Sequence, residues 1–180
     1  MANTFFRAMG LETGKSLVEE DRIDMARELL ERSGDKLLLP LDVVVADRVE
    51  AGAETSVVAR DGIPGDRMAV DVGPRTVERF AEVLGDARTV LWNGPMGVFE
   101  IEAFAQGTLE VARALVAATE RGAMTVVGGG DSAAAITEMG MADRVSPLST
   151  GGGASLEFME GKELPGVAAL DDVASLEAIR

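Results

Sequence analysis

The sequence predicts an α/β fold: a doubly wound, Rossmann-like parallel sheet with helices on both faces. Two observations carry that prediction. From Met68 onward, short apolar runs suited to strands alternate with longer stretches of helical periodicity, the pattern of parallel strands covered by helices. Glycine-rich loops follow three of those strand-like runs, at Trp92–Glu100, Gly128–Asp131 and Ser149–Ser155. In such folds ligands bind beyond the carboxyl ends of the strands.

The elements follow in order. Met1–Met9 reads as a short helix stopped by Gly10. Glu19–Arg32 places Ile23, Ala26, Leu29 and Leu30 on one helical face, and Gly34 ends it. Lys36–Ala46, with its run LLLPLDVVVA, reads as a buried strand bounded or interrupted at Pro40. Thr55–Arg60 is a short strand before the turn-forming run DGIPGD. Met68–Val72 is a strand, and Pro74 stands where the first turn of a helix over Arg75–Leu84 begins. Strands follow at Thr89–Trp92, Ala123–Val127 and Val145–Leu148. They alternate with helices at Glu102–Glu120, Asp131–Met139 and Ala154–Met159.

Composition narrows the chemistry. The chain has 180 residues, of which 47% are hydrophobic and 27% charged, as in an ordinary soluble domain. It contains no cysteine and no histidine, which removes thiolate metal sites and histidine-based acid–base chemistry. Catalysis has to rest on carboxylates, Lys or Arg, backbone amides or a bound hard cation. The formal charge is −14, so neither nucleic acid nor an anionic membrane is an expected partner. A small phosphorylated ligand remains compatible, because helix N-termini hold phosphate without net positive charge. No apolar run resembles a signal peptide or spans a bilayer, which makes a cytoplasmic location the expectation.

Three loops carry the functional signal. In VVGGGDSAAA an apolar strand runs into three glycines and then an alanine-rich helix. Glycines bare the backbone N–H groups and the helix start adds its positive end, which together make a phosphate cradle. Asp131 beside it suits a metal-bridged phosphate, since Mg²⁺ takes one or two carboxylates plus phosphate oxygens and water. STGGGAS repeats the arrangement after the next strand. WNGPMGVFE offers an amide side chain, an apolar wall and a carboxylate suited to ribose hydroxyls; Trp92 itself, ending an apolar strand, reads as core. The pattern G-x-G-x-x-A through Gly128, Gly130 and Ala133 also fits a dinucleotide fingerprint, but no acid stands near Leu148–Thr150, about 20 positions on, where one is needed. GLETGKS imitates a P-loop with three residues between its glycines where four are required, and it follows a helix. Lys15 there reads as a solvated surface lysine.

WNGPMGVFE, GGGDSAAA, STGGGASLEF and GKELPGVAAL, in this order, resemble the C-terminal domain of phosphoglycerate kinase, as do MANTF, GKSLVEED and LLLPLDVVVAD nearer the start. The resemblance implies reversible phosphoryl transfer between 1,3-bisphosphoglycerate and Mg-ADP, giving 3-phosphoglycerate and ATP. It implies a nucleotide pocket from Asn93, Gly94, Pro95 and Val98, a ribose contact from Glu100, and a phosphate loop from Gly129, Gly130, Asp131 and Ser132. Asp131 is the implied Mg²⁺ residue. Gly130, Gly151, Gly152 and Gly153 are the implied amide donors to the transferring group. Leu17, Ala69 and Val70 are the implied adenine walls, with alanine at 69 where the family commonly has glycine.

Residues 1–171 are on this reading a single incomplete domain, and Asp172–Arg180 an unmatched tail with no expected packing. The family's upstream glycine–lysine loop, of the type GGAKVSDK, and its substrate-binding half have no counterpart in these residues. The resemblance therefore implies that this monomeric chain supplies the ADP/ATP site, transfers no phosphate alone, and meets the triose phosphate only with that other half. Two alternatives stay open: a non-catalytic adenine-nucleotide module, and a nicotinamide-dependent dehydrogenase resting on G-x-G-x-x-A alone.

Overall fold

The structure is a computed structural model in which residues 1–146, 148–149 and 152–170 are described. Two three-stranded sheets organise it. The first contains β1 (Asp42–Ala46), β2 (Thr55–Ala59) and β3 (Met68–Val72) in the order β2-β1-β3, both neighbours running antiparallel to β1. The second contains β4 (Thr89–Trp92), β5 (Met124–Gly128) and β6 (Leu148–Ser149) in the order β4-β5-β6, all parallel.

The helices are α1 (Ala2–Ala8), α2 (Ile23–Ser33), α3 (Pro74–Asp86), α4 (Gln106–Glu120), α5 (Gly130–Glu138), α6 (Gly152–Met159) and α7 (Pro165–Ala168). The α/β reading therefore holds, and the parallel sheet with its covering helices occupies the second half. The strand expected at Met68–Val72 has the expected bounds but pairs antiparallel with β1. The reason is connectivity. The segment between β1 and β3 carries β2 and no helix, whereas parallel neighbours are usually joined through a helical crossover. Smaller differences are the short strand Leu148–Ser149 in place of Val145–Leu148, and a short 3₁₀ turn Glu102–Phe104 set off from α4. The helix α7 was not read from the sequence, and the tail 172–180 lies outside the described residues.

Apolar burial follows these layers. Trp92, Val111, Leu115, Val127, Ala135 and Ile136 join β4, β5, α4 and α5 in one core, on which Phe80 and Leu84 of α3 pack. Phe6 of α1 packs with Val43, Val45 and Ile63 over the antiparallel sheet. A third cluster, with Ala46, Ala53, Val70 and Phe104, connects that sheet to the approach to α4. β4 pairs with β5 on one side, and among the described residues no strand lies on its other side.

The two sheets are tied together by buried polar groups as well as apolar ones. Asp42, 2% exposed on β1, accepts N–H bonds from Thr76 at 2.8 Å and Arg75 at 3.1 Å, so it terminates α3 from a different layer. The Thr76 hydroxyl lies 2.7 Å from the same carboxylate. Pro74 at the first position of α3 needs no partner for a donor it lacks. Replacing Asp42 with Ala strands two helix-end N–H groups, that of Thr76 buried and that of Arg75 partly so. The expected cost is about 2–4 kcal/mol of unfolding free energy, measured by urea denaturation, with a smaller loss for Asp42→Asn because one acceptor remains.

Candidate functional site

At the end of β5 a single residue, Gly129, separates strand from helix. Its φ of +91° lies in the region that favours glycine, and it turns the chain directly into α5. The first helical bond of this turn is donated by Ala133 to the Gly129 carbonyl at 3.0 Å. The N–H groups of Gly130, Asp131 and Ser132 precede it, as the unpaired donors of a helix start do. A cleft of about 230 Å³ opens here, lined by Asn93, Gly94, Gly128–Ser132, Gly153 and Leu156.

Hydrogen bonds hold the two sides of the cleft together. Ser132 is fully buried, and its Oγ accepts the Gly94 N–H at 2.6 Å, fixing the loop after β4 against the start of α5. A Cβ on Gly129 would stand 3.2 Å from Asn93 Oδ1, so the Asn93 amide closes directly over the turn. β6 brings the second glycine loop alongside: Ser149 pairs in register with Gly128, and α6 begins at Gly152. Gly153 reaches the cleft, whereas Gly151 lies outside the described residues. Asp131 is exposed in the first turn of α5.

The remaining expected residues gather around β3. Val98 donates its N–H to the Val70 carbonyl at 2.9 Å. Ala69 donates to Ser16 Oγ at 2.9 Å, which brings the Leu17 segment beside the strand; Leu17 itself is exposed. Val70 is buried with Ala46, Ala53 and Phe104, so its side chain belongs to the core and only its backbone borders this region. Pro95 is half-buried, and Glu100 is exposed at the end of the same loop; neither lines the cleft. The loop 93–100 thus bridges two places, bonded to α5 at Gly94 and to β3 at Val98. Trp92 is buried core, as expected. The GLETGKS stretch follows α1 and straps onto the sheet's connections, with the Lys15 N–H bonded to the Arg67 carbonyl at 2.7 Å and its side chain exposed.

Three residues that support the bridging loop were not singled out from the sequence. Asp71, 4% exposed, accepts the Val72 N–H at 2.8 Å on Oδ1 and the Gly107 N–H at 2.6 Å on Oδ2, the latter at the start of α4. Thr108, fully buried, accepts the N–H groups of Met96 at 3.0 Å and Gly97 at 3.3 Å. Gly97 packs so closely that an added Cβ would lie 2.5 Å from Asp71 Oδ1 and 2.6 Å from the Val70 carbonyl. The available signal was the charge inside the apolar strand MAVDV.

Comparison with known proteins identifies the family. The phosphoglycerate kinase family model matches residues 1–162. The chain belongs to the phosphoglycerate kinase family. It is 56% identical over 175 residues to a phosphoglycerate kinase of Chloroherpeton thalassium, covering 96% of this chain and 44% of that protein. The phosphoglycerate kinase of Thermosipho africanus is 51% identical over 181 residues, covering 98% of this chain and 45% of that one. The solved phosphoglycerate kinase structure from Coxiella burnetii superposes with a TM-score of 0.86 at 44% identity, covering 93% of this chain and 43% of that chain. That from Pyrococcus horikoshii gives 0.79 at 36% identity, covering 94% and 42%. The chain therefore spans less than half the length of the phosphoglycerate kinases it matches.

Within this member of the phosphoglycerate kinase family, Asp71 differs electrostatically from an ordinary carboxylate. Burial away from water pushes its pKa from 3.8 up to about 6, against the lowering effect of the Gly107 and Val72 N–H bonds. A carboxyl whose folded pKa is raised binds its proton more tightly when folded. Its stabilising contribution is complete below about pH 3.8 and is lost as pH rises through about 6. Titrating unfolding free energy from pH 7 to pH 4 should thus favour wild type over Asp71→Asn by up to about 3 kcal/mol. A pH-independent difference between the two would contradict the assignment.

Proposed function

We propose that residues 1–171 form the nucleotide-binding domain of a phosphoglycerate kinase and hold Mg-ADP or Mg-ATP in the cleft between loop 93–100 and the start of α5. The observation that carries this is the Gly129 turn. It presents the N–H groups of Gly130, Asp131 and Ser132 at a helix N-terminus, with Asn93 closing over them. The triply repeated strand–loop–helix arrangement of the second half makes the neighbouring glycine loop, with Gly151, Gly152 and Gly153, the source of further amide donors on the other side of a phosphoryl group. The nucleoside then lies toward β3, where Val98 bonds the Val70 backbone and Ser16 bonds Ala69, with Leu17, Ala69, Pro95 and Val98 proposed as its walls and Glu100 for the ribose.

The donor set fits a shared Mg²⁺. Asp131 is an exposed carboxylate at the cleft, and the described residues contain no group of three or more acids that could cage a metal without phosphate. When bound, Mg²⁺ neutralises phosphate charge; Asp131 would hold it, and the amides of Gly129–Ser132 would orient the phosphate chain. The reaction served is reversible phosphoryl transfer between 1,3-bisphosphoglycerate and ADP, giving 3-phosphoglycerate and ATP. Such transfer depends on positioning and charge stabilisation at both substrates. This chain spans 44% of its curated relative, and its net charge of −14 disfavours an acidic triose as a ligand of these residues by themselves. On this reading these residues bind nucleotide and transfer no phosphate without the substrate-binding half, and a monomeric, cytoplasmic protein belongs to the same proposal.

Isothermal titration tests the reading. Mg-ADP should bind saturably and NADH should not. Asp131→Ala should weaken Mg-ADP binding about tenfold, with little effect on ADP measured in chelator. Absence of Mg-ADP binding to a chain shown to be folded would overturn the site, and steady-state turnover at ordinary kinase rates, about 1–100 per second, would overturn the assignment of binding alone.

A further inference from the structure

We propose that Asp71, together with Thr108, is a positioning group for the nucleoside half of the site and sets the place of loop 93–100 independently of the phosphate cradle. The inference rests on the nucleotide reading above and adds residues that touch no part of the cleft lining.

The argument starts from how the loop is held. Its first part is fixed by the α5 side, through Gly94 on Ser132 at 2.6 Å. Its middle is fixed elsewhere. The Met96 and Gly97 N–H groups share the hydroxyl of Thr108, and the Val98 N–H bonds the Val70 carbonyl at 2.9 Å. Thr108 is on α4 and Val70 on β3, so the loop keeps one shape only if α4 and β3 keep one spacing. Asp71 sets that spacing. It projects from β3, accepts the Gly107 N–H of α4 at 2.6 Å, and leaves no room for side chains at Gly97 or Gly107, whose added Cβ atoms would lie 2.5 and 2.4 Å from its Oδ1. A carboxylate bonded to a helix-start amide is held more firmly than a neutral acceptor. The glycines on either side let loop, helix and strand approach within van der Waals limits that any larger residue would break.

This network stands on the β3 side of the loop. The amides of Gly129–Ser132 are held by β5 and α5 and share none of its bonds. A change at Asp71 should therefore move Pro95 and Val98 without displacing the phosphate donors. Binding of a ligand that spans both halves should suffer, and binding of one that uses only the cradle should not.

The experiment compares Mg-ADP, by isothermal titration, with inorganic Mg-diphosphate, by ³¹P nuclear magnetic resonance titration into the millimolar range. Wild type is measured against Asp71→Asn, which keeps shape but exchanges a carboxylate oxygen for an amide. The same pair is run on Thr108→Val, which removes the hydroxyl under Met96 and Gly97 and leaves Asp71 intact, so that a folding failure of one variant leaves the other. Circular dichroism and cooperative unfolding qualify each protein. The expected result is a loss of about tenfold in Mg-ADP affinity with Mg-diphosphate affinity held within about twofold. Equal losses for both ligands, which general loosening would produce, overturn the inference. So do unchanged Mg-ADP affinity and a wild type that binds Mg-ADP but no diphosphate. A wild type that binds neither ligand removes the nucleotide site itself, and this inference with it.

Discussion

The architecture depends on two carboxylates buried in the antiparallel sheet, each ending a helix that belongs to the other half of the chain. Asp42 on β1 accepts the first free amides of α3, and Asp71 on β3 accepts one from α4. A helix start presents unpaired donors and a partial positive charge, and both must be met when that end is covered by protein. Supplying the acceptor from a strand instead of a local cap makes helix formation conditional on correct sheet assembly. α3 and α4 pack on each other and on β4 and β5. The two carboxylates therefore fix how the parallel sheet, with its glycine loops, sits against the antiparallel one.

Much of this was legible in the residues. The order and rough places of strands and helices over 68–139 followed from apolar alternation, from Pro74 at a helix start and from Gly140 at a helix end, because each of those is a local signal; the start of α4 did not. The tight strand-to-helix turn was legible for the same reason: glycines between VV and DSAAA supply the positive φ that such a turn takes up at Gly129. The position of GLETGKS after a helix was legible too, from Gly10 closing the apolar run before it.

What was not legible depends on pairing at a distance. Whether Met68–Val72 runs parallel or antiparallel is settled by which strand it meets, and a five-residue apolar run has no preference of its own. The core orientation of Val70 follows from the same pairing, since one step of register exchanges the faces of a strand. Asp71 shows the limit most clearly. An acid in an apolar strand is visible as an anomaly, but the amide it serves lies 36 positions away, and nothing in the local pattern points to it.

One further consequence comes from Trp92. It is the sole tryptophan, and the chain contains no tyrosine, so every photon of indole emission originates from the last residue of β4. That indole is buried against α4 and β5, and the next residue in the chain, Asn93, lines the cleft. The protein thereby carries a built-in optical probe: its emission maximum reads the water content of the core beside the cleft, with no label and no other indole or phenol to subtract.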